Sequence, residues 1–206
     1  MIGVFPFVPM PDTLTISLNE LRALLNKAYE GVFGHSRDWS AMTETVMWLE
    51  CHGYEGMDLF LRAIPNMEAN KKARLSNASA DTITVEANGT CLIEYAHLLS
   101  DVLIARAKKT ERANARVHSV QYPQIIHSIR PNLRKVGFEL SYYLEDNTLQ
   151  ISVAPNASQE LENKDHYLKI LDNGYTLKHE TYLTLNQYAD RVLVPASDQS
   201  RQGAGE

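Results

Sequence analysis

The chain has 206 residues and an ordinary globular composition, 44% hydrophobic and 22% charged, which is enough to bury a sizeable core. Its net charge of −5 argues against a non-specific nucleic-acid binder. No apolar run approaches the roughly 18 residues that span a bilayer. We therefore expect a soluble protein with neither a nucleic-acid nor a membrane partner.

The first residues predict an extended arm over residues 1–16. They are apolar, lack a basic segment and contain three prolines, which exclude the helical core of a signal peptide. The two cysteines, Cys51 and Cys91, fit reduced thiols. Together these features predict a cytoplasmic protein.

Residues 17–66 predict a helical lobe. Ser17 and Glu20 have the spacing of a capping box, and leucines at helical spacing follow until Gly31 and Gly34 end the helix.

A second helix is predicted to begin after Ser36 or Asp38 and to end at Gly53. A short third helix, 56–64, is expected to stop before Pro65.

A polar linker is predicted over residues 67–80, followed by a body over residues 81–195. Residues 82–87 alternate and meet Asn88-Gly89, which indicates a hairpin. A helix is expected from about Tyr95 to Ala107.

The rest of the body is predicted to be mostly strand. Strands are expected at 117–122, 136–143 and 149–153, and a second hairpin at 167–183 around Asp172-Asn173-Gly174, before a short helix at 187–191. Helices first and strands after predict an α+β fold, with the N-terminal helical lobe packed on a mixed or antiparallel sheet.

The densest chemistry lies in Cys51-His52-Gly53-Tyr54-Glu55. His52 could act as an acid–base catalyst, with Glu55 orienting it. The alternative is structural, with Gly53 as a helix cap, His52 in the last turn and Cys51 in the core.

No His or Cys pair has a zinc-ligand spacing, and no glycine-rich phosphate-binding motif is present. The sequence therefore predicts no metal site and leaves any cofactor unknown.

The C-terminal segment, residues 196–206, combines hydroxyls, a guanidinium and glycines. Ser197, Ser200 and Arg201 are candidate ligands for an anion. The alternative is a flexible tail.

Two resemblances bear on function. Residues 17–24, with Lys27-Ala28, Trp48-Leu49 and the ending 194–205, resemble a bacterial domain family of similar length without an established activity.

The second resemblance covers residues 17–65, which are similar to the N-terminal region of the type-2 malate/L-lactate dehydrogenases. That family uses NAD(P), and its turn reads Arg-Gly-x-Asp-Ser-His-Gly with a catalytic histidine. Here Gly53 and Glu55 match, but Met57 stands at the histidine position and His52 at that of the arginine. The resemblance implies a diverged relative that cannot use that mechanism, because a thioether does not exchange protons.

Two functions follow as the main hypotheses, and a third is a purely structural partner protein with Phe5-Pro6-Phe7 and Tyr142-Tyr143 in an interface. The first is an accessory protein that binds a small anionic metabolite and forms a homo-oligomer, with Ser200 and Arg201 holding the anion beside His52 and Glu55. The second is an enzyme acting on a small carboxylate, with His52 as acid–base catalyst.

Overall fold

The computed structural model describes residues 12–34, 39–68, 72–77, 79, 82–156 and 165–192. The helices in these ranges are α1 (Leu18–Phe33), α2 (Ser40–Cys51), α3 (Gly56–Glu68), α4 (Ala96–Thr110), α5 (Arg130–Lys135), α6 (Asp165–Asn173) and α7 (His179–Ala189). The strands are β1 (Thr13–Ile16), β2 (Arg74–Asn77), β3 (Thr82–Glu86), β4 (Ala113–His118), β5 (Phe138–Glu145), β6 (Thr148–Pro155) and β7 (Tyr175–Lys178). None of these helices is both long enough and apolar enough to cross a membrane.

The main sheet has five strands in the order β2-β3-β4-β6-β5. β3 and β4 run parallel, while the other neighbours are antiparallel. β1 and β7 form a separate antiparallel pair in which Ile16 lies opposite Tyr175. Helices packed on a mixed sheet confirm the predicted α+β fold.

The core joins the helical lobe to one face of the main sheet. Ile83, Ala115 and Ile151 lie side by side on adjacent strands and are almost fully buried. The same buried cluster includes Leu25 of α1 and Phe60 of α3. Burial of this apolar surface is the main stabilising term for such a domain, so the lobe is held on the sheet by one continuous core.

The beginning of α1 confirms the predicted capping box. The Glu20 N–H donates to Ser17 Oγ over 3.2 Å, and the Ser17 N–H donates to Glu20 Oε2 over 2.7 Å. Both bonds pair N–H groups that a helix leaves without intrahelical partners. The helix ends before Gly34, whose N–H bonds to the Glu30 carbonyl.

The expected stop of α3 before Pro65 is wrong. The helix continues through Pro65 to Glu68. Proline removes one helical hydrogen bond, but Ile64 and Met67 on either side are buried to 0% and 1% exposure. Packing of this apolar face accounts for the continued helix.

The hairpin predicted at Asn88-Gly89 is also wrong. Both residues have positive φ, 54° and 76°, as expected of a tight turn. However, β3 pairs with β2 and, in parallel, with β4. After the turn, Cys91 forms an isolated bridge to Gln121 and leads into a short 3₁₀ helix at Leu92–Glu94.

The second predicted hairpin is wrong for a different reason. Residues 167–171 belong to helix α6, and β7 ends at Lys178, where α7 begins. The strand partner of β7 is β1, far upstream in the chain. Only Ile170 of α6 is buried, and a short helix with a single buried residue gives a weak sequence pattern.

Other predicted elements exist with shifted bounds. The strands expected at 117–122, 136–143 and 149–153 correspond to β4, β5 and β6, and the turn between the last two lies at Asp146 and Asn147. Part of the predicted linker forms β2, and part of the predicted arm forms β1. Ser36 and Asp38, the expected caps of α2, lie outside the described residues. The domain boundaries remain predictions.

Candidate ligand site

The turn after α2 sets the position of His52. Its backbone N–H donates to the carbonyls of Trp48 (3.1 Å) and Leu49 (3.2 Å), and the Tyr54 N–H donates to the Leu49 carbonyl over 2.9 Å. Gly53 lies between them with φ of +78°, where a Cβ would be strained. The predicted glycine at the helix end is therefore confirmed.

The His52 imidazole is oriented by its own helix. Nδ1 lies 2.7 Å from the Trp48 carbonyl oxygen. Because a carbonyl oxygen only accepts, Nδ1 carries the proton and donates it, which makes Nε2 the basic nitrogen of the neutral ring. The half-buried ring also stacks on the Trp48 indole, with centroids 4.1 Å apart and planes inclined by 17°.

Glu55 lies on the exposed side of the turn. It has φ of +51°, and its backbone carbonyl accepts the Leu59 N–H over 3.0 Å at the beginning of α3. Trp48 is a partner that orients His52. A catalytic role for Glu55 stays a prediction.

The carboxylate that organises the turn is Glu50. Oε2 accepts the Met57 N–H over 2.8 Å, and Oε1 accepts the Tyr175 hydroxyl over 2.7 Å. A carboxylate at the N-terminus of α3 also interacts favourably with the helix dipole. Burial, followed by the charge of Glu50, raises the pKa of Tyr175 well above its ordinary value, so the phenol stays protonated as the donor.

Two neighbouring residues bring α3 close to α2. A Cβ on Gly56 would collide with the Val46 carbonyl oxygen, which explains a glycine at this contact. Met57 is 3% exposed within the core. The position that the dehydrogenase resemblance assigns to the catalytic histidine is thus a buried thioether.

A cleft of about 760 Å³ opens beside His52. It lies over α2, between residues of α1, α5 and α6, and His97 of α4 also reaches it. Its polar lining consists of Asn19, Arg22, Glu44, Thr45, His52, His97, Ser128, Asn132, Lys135 and Tyr167. Clefts of this size commonly hold small organic ligands.

The two cations of the cleft differ in their partners. Arg22 donates to Glu44 through Nε at 2.8 Å and through Nη2 at 3.4 Å, and this bonding raises the pKa of the guanidinium. Lys135, an exposed residue in the last turn of α5, forms no ion pair with any other residue of the described ranges. Lys135 is therefore the ammonium that can pair with an external anion.

Cys51 also lines the cleft but is 4% exposed. Burial, with a smaller contribution from Glu50, raises the pKa of its thiol to about 11. A thiol is nucleophilic as the thiolate, so Cys51 is protonated and unreactive near neutral pH.

A row of aromatic rings continues from the cleft towards the sheet. Tyr54 stacks on Trp48 at 5.8 Å and on His127 at 4.4 Å, and His127 Nε2 lies 2.7 Å from the Tyr142 hydroxyl. Burial, followed by the charge of Arg130, lowers the pKa of His127. Its imidazole is thus held neutral inside the row.

The remaining predicted site residues, Ser197, Ser200 and Arg201, lie outside the described residues. Within the described ranges, no three His, Cys, Asp or Glu side chains are grouped as a metal site would require.

Sequence reasoning missed Lys135, Asn132 and His97, which line the same cleft as His52. They are 45 or more positions from His52 along the chain, and a lysine in a last helical turn is ordinary. The only local signal was the spacing of Ser128, Asn132 and Lys135 by four and three residues.

Comparison with known proteins identifies the fold. No protein-family model matches the chain, and no curated protein matches it. Among solved structures, the fold is similar to a dehydrogenase from Sinorhizobium meliloti, with a TM-score of 0.64, 8% identity and coverage of 86% of this chain and 99% of that one. It is also similar to malate dehydrogenase from Entamoeba histolytica (TM-score 0.53, 9% identity, 94% and 76% coverage). A third similar structure is malate dehydrogenase from Pyrococcus horikoshii OT3 (TM-score 0.51, 8% identity, 87% and 67% coverage). The expected likeness to malate/lactate dehydrogenases is therefore confirmed at the level of the fold.

Proposed function

We propose that this protein binds a small organic acid in the cleft beside His52. The observation that carries the proposal is the convergence of Lys135, His52, His97 and Asn132 on one cleft. The Lys135 ammonium and the Asn132 amide supply donors that a carboxylate accepts, and His97 donates from whichever ring nitrogen carries its proton. The His52 ring gives its Nδ1–H to Trp48, so it donates to the ligand from Nε2 only when it is protonated.

The charge of the cleft supports an anionic ligand. The whole chain carries −5, whereas the cleft lining contains Arg22 and Lys135 against Glu44. Because Arg22 is engaged by Glu44, Lys135 contributes the net positive charge that faces the cavity. Such a local reversal of sign favours anions over cations.

The chemistry at position 57 supports binding rather than dehydrogenation. The similar solved structures are dehydrogenases, but here a buried methionine stands where the resemblance implies a catalytic histidine. A thioether neither gives nor takes a proton near neutral pH. The proposed activity therefore includes no hydride transfer by that mechanism.

Ser197, Ser200 and Arg201 are proposed as additional ligands of the same acid, and Glu55 as a residue at the edge of the site. The hydroxyls of the two serines and the guanidinium of Arg201 can donate hydrogen bonds to a carboxylate.

We further propose a cytoplasmic homo-oligomer of bacterial origin. Light scattering across a concentration series tests the oligomer, since a constant monomer mass contradicts it.

A second candidate function is an enzyme acting on the bound acid. The observation in its favour is the Nδ1–H bond from His52 to the Trp48 carbonyl, which presents Nε2 as a base. In this case the native chain would convert the acid, and His52→Gln would abolish turnover while leaving measurable binding. Proton NMR of the acid mixed with each protein measures the conversion. A pure binding protein would leave the acid unchanged in both the native chain and His52→Gln.

A thermal-shift screen tests the binding function. The full chain is heated with NAD(P)(H), carboxylates and phosphates, and compared with Lys135→Met, His52→Gln and Arg201→Ala. A ligand at a hundredfold excess over its Kd stabilises the native state by about 2.7 kcal/mol. We expect a carboxylate to raise the Tm of the native chain and a smaller rise in Lys135→Met.

Lys108→Met is the matched control. Lys108 is also an exposed lysine in the last turn of a helix, but α4 carries it outside the cleft lining. The proposal fails if no acid raises the Tm, or if Lys108→Met reduces the shift as much as Lys135→Met.

A further inference from the structure

We infer that the ligand of this cleft is an amphipathic organic acid, with a carboxylate at one end and an apolar chain or ring at the other. The inference rests on the proposed function and narrows its ligand class. A ligand of this class is larger than a short acid such as lactate.

The size of the cleft favours a ligand longer than a short acid. The cleft measures about 760 Å³, within the range of about 300–1,000 Å³ typical of sites for drug-sized ligands. A short acid would fill a small part of this space and leave the rest to water. Because affinity at such sites comes largely from apolar burial, a longer ligand fits the volume better.

The lining of the cleft is mixed in character. Ser128, Asn132 and Lys135 supply polar groups at helical spacing. Tyr167 and Leu171, four residues apart on α6, also line the cleft. The rest of the apolar lining comes from Leu18, Ala41, Met47, Trp48, Ile129 and Pro131. The cleft thus offers both polar donors and apolar surface, as an amphipathic ligand requires.

Two side chains of α6 that line the cleft are exposed to solvent. Leu171 is 51% exposed and Tyr167 36%, although both face the cleft. Exposed apolar side chains that line a cavity mark a surface that gains free energy when an apolar group covers it. An alkyl or aromatic tail lying along α6 would bury these side chains while its carboxylate reaches Lys135.

The two cations of the cleft are not equally available to the carboxylate of the ligand. The Arg22 guanidinium is held by Glu44. Lys135 forms no ion pair within the described ranges. The carboxylate end of the ligand is therefore assigned to Lys135.

Isothermal titration calorimetry with butyrate, hexanoate, octanoate and decanoate tests this inference on the full chain. Each buried methylene is expected to lower Kd about fourfold until the cleft is filled. We expect Leu171→Asn to reduce this gain per methylene. Leu168→Asn is the matched control, since Leu168 is equally exposed on the same helix and does not line the cleft.

The outcomes separate the inference from the function on which it rests. Equal Kd values for butyrate and octanoate, with binding still weakened by Lys135→Met, overturn the amphipathic ligand and leave the acid-binding function standing. Absence of binding by every acid overturns both. Alkylammonium ions of matching length bound as tightly as the acids, or equal losses in Leu171→Asn and Leu168→Asn, also overturn the inference.

Discussion

The phenol of Tyr175 donates a 2.7 Å hydrogen bond to Oε1 of Glu50, across 125 positions of the chain. Glu50 belongs to the last turn of α2, directly before Cys51 and His52, and Tyr175 is the first residue of β7. This bond connects the β1–β7 pair to the turn that carries His52. The other oxygen of Glu50 accepts the Met57 N–H, so one carboxylate of α2 bonds to both α3 and β7.

Removing the Tyr175 hydroxyl is expected to destabilise the protein. Tyr175→Phe keeps the ring but deprives the half-buried Glu50 carboxylate of a donor, which should lower the free energy of unfolding by about 2 kcal/mol. Urea denaturation measures the change. Tyr143→Phe is the control, because Tyr143 is 61% exposed. Equal stabilities of the two variants would contradict the assigned role of this bond.

Cys91 is expected to weaken the fold in alkali. Burial raises the pKa of its thiol from 9.0 to about 12. Between these values the unfolded chain releases the proton while the folded chain keeps it, so stability present below pH 9 is lost as pH rises. One such group contributes a slope of about 1.4 kcal/mol per pH unit.

Cys91→Ala should therefore show a shallower loss of unfolding free energy between pH 9 and pH 11 than the native chain. The pKa of half-buried Tyr95 is raised by burial and then by the charge of Cys91, so removal of Cys91 also lessens the contribution of Tyr95 and adds to the expected difference. Identical pH dependence in the two proteins would show that the Cys91 thiol ionises freely in the folded state.

His127 is expected to respond to acid. Burial and then Arg130 lower its pKa below the ordinary 6.5, so the folded chain favours the neutral ring. The stability that this provides is present above pH 6.5 and is lost as pH falls from there through the folded pKa. We expect the NMR titration midpoint of His127 to lie below 6.5.

Arg130→Gln should raise the titration midpoint of His127, because it removes the positive charge that lowers this pKa and keeps the ring buried. Arg112→Gln, at an exposed residue before β4, should leave the midpoint unchanged. A native midpoint at or above 6.5 would mean that the row of rings from Trp48 to Tyr142 accommodates a charged imidazole.

Short-range features of the fold were predictable from sequence. Ser17 and Glu20 are three residues apart and make their bonds within one helical turn, so the capping box needs no tertiary context. Gly53 was likewise predictable from the helix pattern before it. The failures depend on distant partners: β7, which begins at Tyr175, pairs with β1 and not with residues 167–171, and Pro65 stays helical because Ile64 and Met67 are buried.

The candidate site was predictable only in part. His52 stood out because it follows a helix and precedes glycine, but Lys135 and Tyr167 reach its cleft through the packing of α5 and α6 around α2. Nothing in the local pattern distinguishes Lys135 from Lys108, another last-turn lysine. The role assigned to Glu55 rested on nearness in sequence, whereas Glu50 is the carboxylate whose geometry organises the turn.

The most direct test of the account is to locate the bound acid. The two tryptophans give separate indole N–H signals in a nitrogen–proton correlation spectrum, and Trp48 lines the cleft whereas Trp39 does not. We predict that titration with octanoate shifts the Trp48 signal saturably, leaves the Trp39 signal in place, and loses this effect in Lys135→Met. A saturable shift of Trp39 without one of Trp48, or no shift of either, would contradict an acid-binding site beside His52.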